Sequence, residues 1–193
     1  EQDRTIDYLR RQTDASEVIL SGGDPLTLSD SRLADLVSSI DGIAQLKRLR
    51  IHSRLPIVLP ERIDTPLLEW MSATRLQVIV VVHSNHANEL DASVIHAMNQ
   101  LRQAGATLLN QSVLLRGINN RTDVLAALSE RLFEADILPY YLHQLDPVQG
   151  AAHFAVNDRD AIRLVEGMRR RLPGYLVPRL VREHPGQASK SPL

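Results

Sequence analysis

Small polar clusters follow short β-branched runs along this chain, and their residue types suit ligand binding. Ser21-Gly22-Gly23-Asp24-Pro25 comes after the run Val18 to Leu20. Paired glycines let a ligand approach the backbone, and their N–H groups can meet a charged group. Asp24 suits an ammonium or a ribose hydroxyl, although a tight turn ending at a proline would use the same residues. His52-Ser53-Arg54 follows the second run. Arg54 there fits a carboxylate or phosphate held by two parallel hydrogen bonds, or a surface ion pair. His83-Ser84-Asn85-His86 sets two histidines three apart. No carboxylate stands beside them at metal-ligand spacing, so contact with an organic ligand or loop structure is expected, and no metal is assigned.

Asn110-Gln111-Ser112 interrupts the apolar run Leu108 to Leu114. Buried polar groups are costly unless paired. Alternation along a strand puts Asn110 and Ser112 on one face and Gln111 on the other. Either face can meet a ligand or form an internal network. Tyr140-Tyr141-Leu142-His143-Gln144-Leu145-Asp146 ends the fifth run. Asp146 reads as a ligand group for a cation, or as an N-cap or loop acid. Glu183, His184, Gly186 and Lys190 lie near the end, where a lysine is ordinarily solvated.

The elements that must position these residues recur at a spacing near that of one strand-helix-strand unit. Apolar runs occupy Val18 to Leu20, Leu46 to Ile51, Leu76 to Val82, Thr107 to Leu115, Leu138 to Leu142 and Tyr175 to Val181. Their near-continuous apolar character suits strands covered on both faces. Helical periodicity lies between them, in Leu33, Leu36, Val37 and Ile40, with Ser29 as the N-cap, and in Leu67, Leu68 and Met71, capped by Asp64. It returns in Val94, Ile95, Met98 and Leu101, with Gly105 at the left-handed C-terminal position. The last two helices are marked by Val124, Leu128 and Leu132, and by Ile162, Val165 and Met168. Alternation of this kind implies a parallel sheet with right-handed crossovers. The GxGxxG fingerprint of an open dinucleotide-binding sheet is absent. A polar cluster at the end of every strand favours a parallel β/α barrel, in which all strand ends face one site. Residues 1–193 read as a single domain, with 174–193 as a C-terminal tail carrying Lys190.

Composition narrows the function. Lys plus Arg number 22 and Asp plus Glu 23, a net charge of −1, which gives no reason to expect nucleic acid or an anionic membrane. There is no cysteine, so disulfides, zinc–thiolate sites and iron–sulfur ligation are excluded within these residues. No apolar run approaches membrane-spanning length, and the charged start lacks a signal-peptide apolar stretch, so a cytoplasmic location is expected.

Taken together and in order, five motifs carry a resemblance. They are Ser21-Gly22-Gly23-Asp24-Pro25-Leu26, Arg50-Ile51-His52-Ser53-Arg54-Leu55-Pro56, Asn110-Gln111-Ser112-Val113-Leu114-Leu115, Pro139-Tyr140-Tyr141-Leu142 and Lys190-Ser191-Pro192-Leu193. As a set they resemble the lysine 2,3-aminomutase family of radical S-adenosylmethionine (SAM) enzymes, over essentially the whole chain. Ile51 to Val58, Gln149-Gly150-Ala151-Ala152-His153-Phe154 and the tail around Ser189-Lys190 are most similar to the bacterial branch that makes (R)-β-lysine for elongation factor P.

The resemblance implies a radical isomerase that uses SAM, pyridoxal phosphate (PLP) and a [4Fe-4S] cluster to convert L-lysine to β-lysine. It implies that Lys190 is the catalytic Schiff-base lysine for PLP. Gly22, Gly23 and Asp24 would lie along SAM, with His83 and Gln111 also approaching it. Asp146 and Glu183 would receive the distal ammonium of the substrate, and Arg54 would make a structural or carboxylate contact. Two carboxylates around one ammonium satisfy more of its donors and favour a substrate with a second amine. The family's CxxxCxxC cluster motif is not in this chain. Its first strand matches the family's second, so the first β/α unit and the cluster ligands are expected upstream, and the chain alone should be inactive. The implied partners are L-lysine and, through its pathway, elongation factor P and its ligase. A homo-oligomer is compatible with the sequence. Two other readings stay open: an aminomutase supplying β-lysine for a small-molecule product, and a non-catalytic barrel binding PLP or lysine.

Overall fold

The computed structural model describes residues 2–193 apart from Pro185 and Ala188, and only the backbone of Gln2. The sequence readings that include Glu1 and Ala188 lie outside the described residues. The chain forms two compact units, residues 1–82 with 96–108, and residues 83–95 with 109–193.

The first unit holds α1 (Gln2–Arg11), β1 (Glu17–Leu20), α2 (Asp30–Asp41), β2 (Arg48–Ser53), α3 (Leu55–Val58), α4 (Thr65–Ala73) and β3 (Gln77–Val82). β1 pairs with β2 and β2 with β3, both parallel, with Val18 opposite Leu49 and Leu49 opposite Val78. Leu49, Ile51 and Ser53 of β2 are buried, the period-two pattern of a pleated strand. α2 buries Leu33, Val37 and Ile40, and α4 buries Leu67, Trp70 and Met71. The Asp64 carboxylate accepts from the Leu67 N–H, as expected of an N-cap. Ser29 also stands at the N-cap of α2, but its hydroxyl meets Ser31 Oγ and makes no cap bond to the backbone.

α5 (Ala92–Gln103) and β4 (Thr107–Val113) contribute residues to both units. Gly105, between them, has φ +93, the left-handed conformation expected after the helix.

The second unit continues with α6 (Thr122–Glu134), β5 (Leu138–His143), α7 (Asp158–Arg169), β6 (Arg179–Arg182) and β7 (Ser191–Pro192). β4 with β5 and β5 with β6 are parallel, whereas β7 returns antiparallel to β6. Its core joins Leu114, Leu125, Leu142, Ala161, Val165, Met168 and Leu180. The helix faces differ slightly from the expected ones. Leu125 rather than Val124 is buried in α6, and Ala161 is buried in α7 while Ile162 is exposed. Tyr175 falls in a 3-10 turn, Gly174–Leu176, and the sixth strand begins only at Arg179. Pro173 and Pro178 bracket that turn, and proline's missing N–H cannot extend a sheet ladder.

Asn110 and Ser112, the buried polar residues of β4, are paired. Asn110 Oδ1 accepts from the Ser84 N–H at 2.8 Å, and its amide donates to Ser84 O at 3.1 Å and Ser112 Oγ at 2.9 Å. Ser112 Oγ donates to Ser84 O at 2.7 Å. The polar interruption is therefore an internal tie of the second unit, between Ser84 and the strand residues Asn110 and Ser112. Asn110→Ala orphans the buried Ser84 amide, and urea unfolding should show a loss of about 1–3 kcal/mol; an unchanged midpoint contradicts the network.

Candidate functional site

The first unit holds the glycine pair. Gly22 and Gly23 have φ +90 and +61, and a Cβ built on either meets nothing within 4 Å. Only glycine adopts such conformations freely, so the exposed loop offers bare backbone to a ligand. The Asp24 carboxylate is committed internally. Oδ1 accepts from the Leu26 N–H at 3.1 Å and from Ser53 Oγ at 2.7 Å, and Oδ2 accepts from the Arg54 N–H at 2.7 Å. Asp24 thus ties the glycine loop to the end of β2. Arg54 is exposed and enters this tie through its backbone.

The second unit holds the other candidates. Gln111 Nε2 donates to His83 Nε2 at 3.0 Å, while Gln111 Oε1 is buried without a hydrogen-bond partner. His86 Nδ1 accepts from the Asn88 N–H and caps a 3-10 turn. Among the described residues, no group of three or more His, Cys, Asp or Glu is placed to hold a metal ion.

Glu183, just past β6, and Lys190, just before β7, are brought together by the returning tail. Lys190 Nζ donates to Glu183 Oε2 at 2.6 Å and lies 6.0 Å from the centroid of the Tyr141 ring. Asp146 and Glu183 line one cavity of about 730 Å³, with Arg182, His184 and Gln187. Glu183 is held below the usual carboxylate range, first by the hydrogen bond from Lys190 and then by its charge.

Tyr141 and His143 belong to the fifth-strand motif but have no role implied by the sequence. They share a face of β5 by the period of two and meet edge to face at 5.6 Å. His143 Nε2 is buried without a partner. Burial, then the Lys190 charge, pushes the His143 pKa down, against the opposing pull of Glu183 and Asp146. His143 thus faces the charges of the three candidate residues. Arg182 and Asp158 form a second ion pair beside the cavity.

The residues present fit the implied organic groups and not the inorganic one. Lys190 offers the primary amine that an aldehyde cofactor requires, 6.0 Å from the centroid of the Tyr141 ring. In the first unit the glycine pair leaves backbone open to a ligand; in the second, Gln111 Oε1 is an acceptor without a hydrogen-bond partner. No residue fits the [4Fe-4S] cluster, because the chain has no cysteine.

The chain has the fold of a radical SAM methyltransferase from Sphaerobacter thermophilus, with a TM-score of 0.57 at 14% identity over 94% of this chain and 54% of that one. It is therefore a partial parallel β/α barrel of the radical SAM type. No protein-family model matches it. Within that class the chain is homologous to the L-lysine 2,3-aminomutases. It is 50% identical to the L-lysine 2,3-aminomutase of Escherichia coli (strain K12), over 97% of this chain and 55% of the relative. It is 39% identical to that of Clostridium subterminale, over 99% of this chain and 46% of the relative. The chain thus spans about half the length of the curated relatives it matches. No helix among the described residues is long and apolar enough to cross a membrane.

The lowered His143 pKa has a signed consequence. Below the ordinary imidazole value of 6.5, the unfolded chain takes up a proton that folded His143 resists, so stability falls as pH drops through that window. His143→Phe keeps a ring against Tyr141 and should flatten the pH dependence of the urea midpoint there; an unaltered slope contradicts the assignment.

Proposed function

We propose that this chain is the part of an L-lysine 2,3-aminomutase that holds PLP and the substrate's distal amine. The carrying observation is the Glu183–Lys190 ion pair beside a cavity that Asp146 also lines. When bound, PLP would supply an aldehyde for the substrate amine, and SAM an adenosyl group. The residues of the chain bind and orient. Lys190 would hold PLP through its side-chain amine and leave the cofactor's aldehyde carbon open to the substrate amine. Asp146 and Glu183 accept the distal ammonium. Glu183 now holds the Lys190 ammonium, and the same carboxylate becomes available for the substrate once that amine is committed. Tyr141 forms a wall beside Lys190, and neutral His143 leaves the local charge to the acids. In the first unit Gly22 and Gly23 would approach SAM, with Asp24 and Arg54 shaping the glycine loop; in the second unit the same role falls to His83 and Gln111.

Incubation with PLP followed by borohydride tests this directly. The chain has two lysines, Lys47 and Lys190. The pyridoxyl group should appear in the peptide containing Lys190, and Lys190→Ala should abolish it. Labelling confined to Lys47, which is exposed, overturns the proposal.

A finer reading gives the β-lysine to elongation factor P. It is favoured by the residues before Lys190, which lack a run of glycines. The relatives' names support only the general activity, equally compatible with β-lysine for a small-molecule product. For the whole protein, the finer reading predicts an (R)-β-lysine product in chiral analysis; a product of the opposite hand overturns that destination and leaves the general activity standing.

A further inference from the structure

The acid pair sits on two loops separated in sequence, and one carboxylate outside the cavity lining ties both. Gln144 follows β5 directly, two residues before Asp146, and its side chain is buried. Gln144 Nε2 donates to Asp158 Oδ1 at 3.0 Å. Arg182 is the last residue of β6, one before Glu183. Its guanidinium donates to Asp158 Oδ2 at 2.9 Å and to Oδ1 at 2.5 Å. The Gln144 N–H also donates to Val181 O at 2.9 Å, so the two strand ends are joined by backbone as well.

Asp158 is itself well placed to be a fixed point. It is the first residue of α7, whose N-terminus is capped by Asn157 accepting from the Asp160 N–H at 2.9 Å. A carboxylate in the first helical turn is stabilised by the unpaired amides there. The bidentate pairing with a planar guanidinium sets orientation as well as distance. Hydrogen bonding from Arg182 holds the Asp158 carboxyl below its usual range, and Arg182 is pushed up in return. Arg182 also lines the cavity, so Asp158 neutralises a cation that would otherwise repel an incoming ammonium.

We infer that Asp158 is a positioning residue that sets the spacing of Asp146 and Glu183, and so selects a substrate carrying a second, distal amine. This rests on the acid pair receiving that amine. Asp158 touches no substrate atom; it acts through Gln144 and Arg182.

The test is isothermal titration of the PLP-loaded chain with L-lysine and with L-norleucine, which has the same carbon skeleton without the distal amine. Asp158→Ala should weaken L-lysine binding about tenfold, equivalent to about 1.4 kcal/mol, and leave L-norleucine binding unchanged. Asp158→Asn keeps one acceptor and loses the charge, and should fall between wild type and Asp158→Ala. If Asp158→Ala does not fold by circular dichroism, the Asp158→Asn comparison of the two ligands decides. Equal weakening of both ligands means general structural support and overturns the inference, as does no change in L-lysine binding. Glu183→Gln and Asp146→Asn separate the two layers. If they weaken L-lysine binding and the Asp158 variants do not, the inference alone fails. If they leave L-lysine binding unchanged, the reading of the acid pair fails first.

Discussion

A polar group taken out of water must find a partner, and the second unit is organised by how that demand is met at its strand ends. Asn110, Ser112 and Ser84 satisfy one another within the core. Gln144 is satisfied by Asp158, which also takes Arg182. These closed sets fix the backbone from which the chemistry-bearing side chains project. Against them, Gln111 Oε1 and His143 Nε2 are left unpaired. An unmet polar atom costs stability, and both lie beside residues with candidate ligand roles. The contrast separates framework from site better than exposure does, since Asp146 and Glu183 are exposed while Gln111 and His143 are partly covered.

The tail depends on the same demand in charged form. β7 is two residues long, and its Pro192 has no N–H to give, so little ladder bonding holds it to β6. The Lys190–Glu183 ion pair supplies a further tie. Glu183 is substantially solvated, so this tie is modest in energy, as exposed pairs are. A modest tie suits a lysine that must exchange partners. Under the proposed function, one carboxylate serves two ammonium groups in turn, which links the state of Lys190 to the capacity of the acid pair.

Much of the framework was legible in the sequence because strands covered on both faces are β-branched runs. β1, β3 and β5 lie within a residue of the expected bounds. α1 was missed because seven of its ten residues are polar and, among the described side chains, Ile6 alone is buried. β7 was missed because a proline and two residues carry no periodicity, and Tyr175 was misplaced because its apolar neighbours form a turn between prolines. Asp146, Glu183 and Lys190 are singled out in the sequence only through the order of motifs, since nothing about a tail lysine seven residues from a glutamate demands the contact that the structure shows. Tyr141 and His143 were within reach through strand alternation. Asp158 was not: it meets Gln144 and Arg182 across 14 and 24 residues, and no local pattern marks an acid at a helix start as anything but a cap.

The central claim is that Lys190 and the acid pair Asp146 and Glu183 form one binding site for PLP and a diamine substrate. A crystal structure of this chain soaked with PLP and L-lysine tests it most directly. The account predicts the distal ammonium of lysine within hydrogen-bonding distance of both Asp146 and Glu183, with PLP beside the Tyr141 ring. Density for lysine with its distal ammonium at neither carboxylate would contradict it.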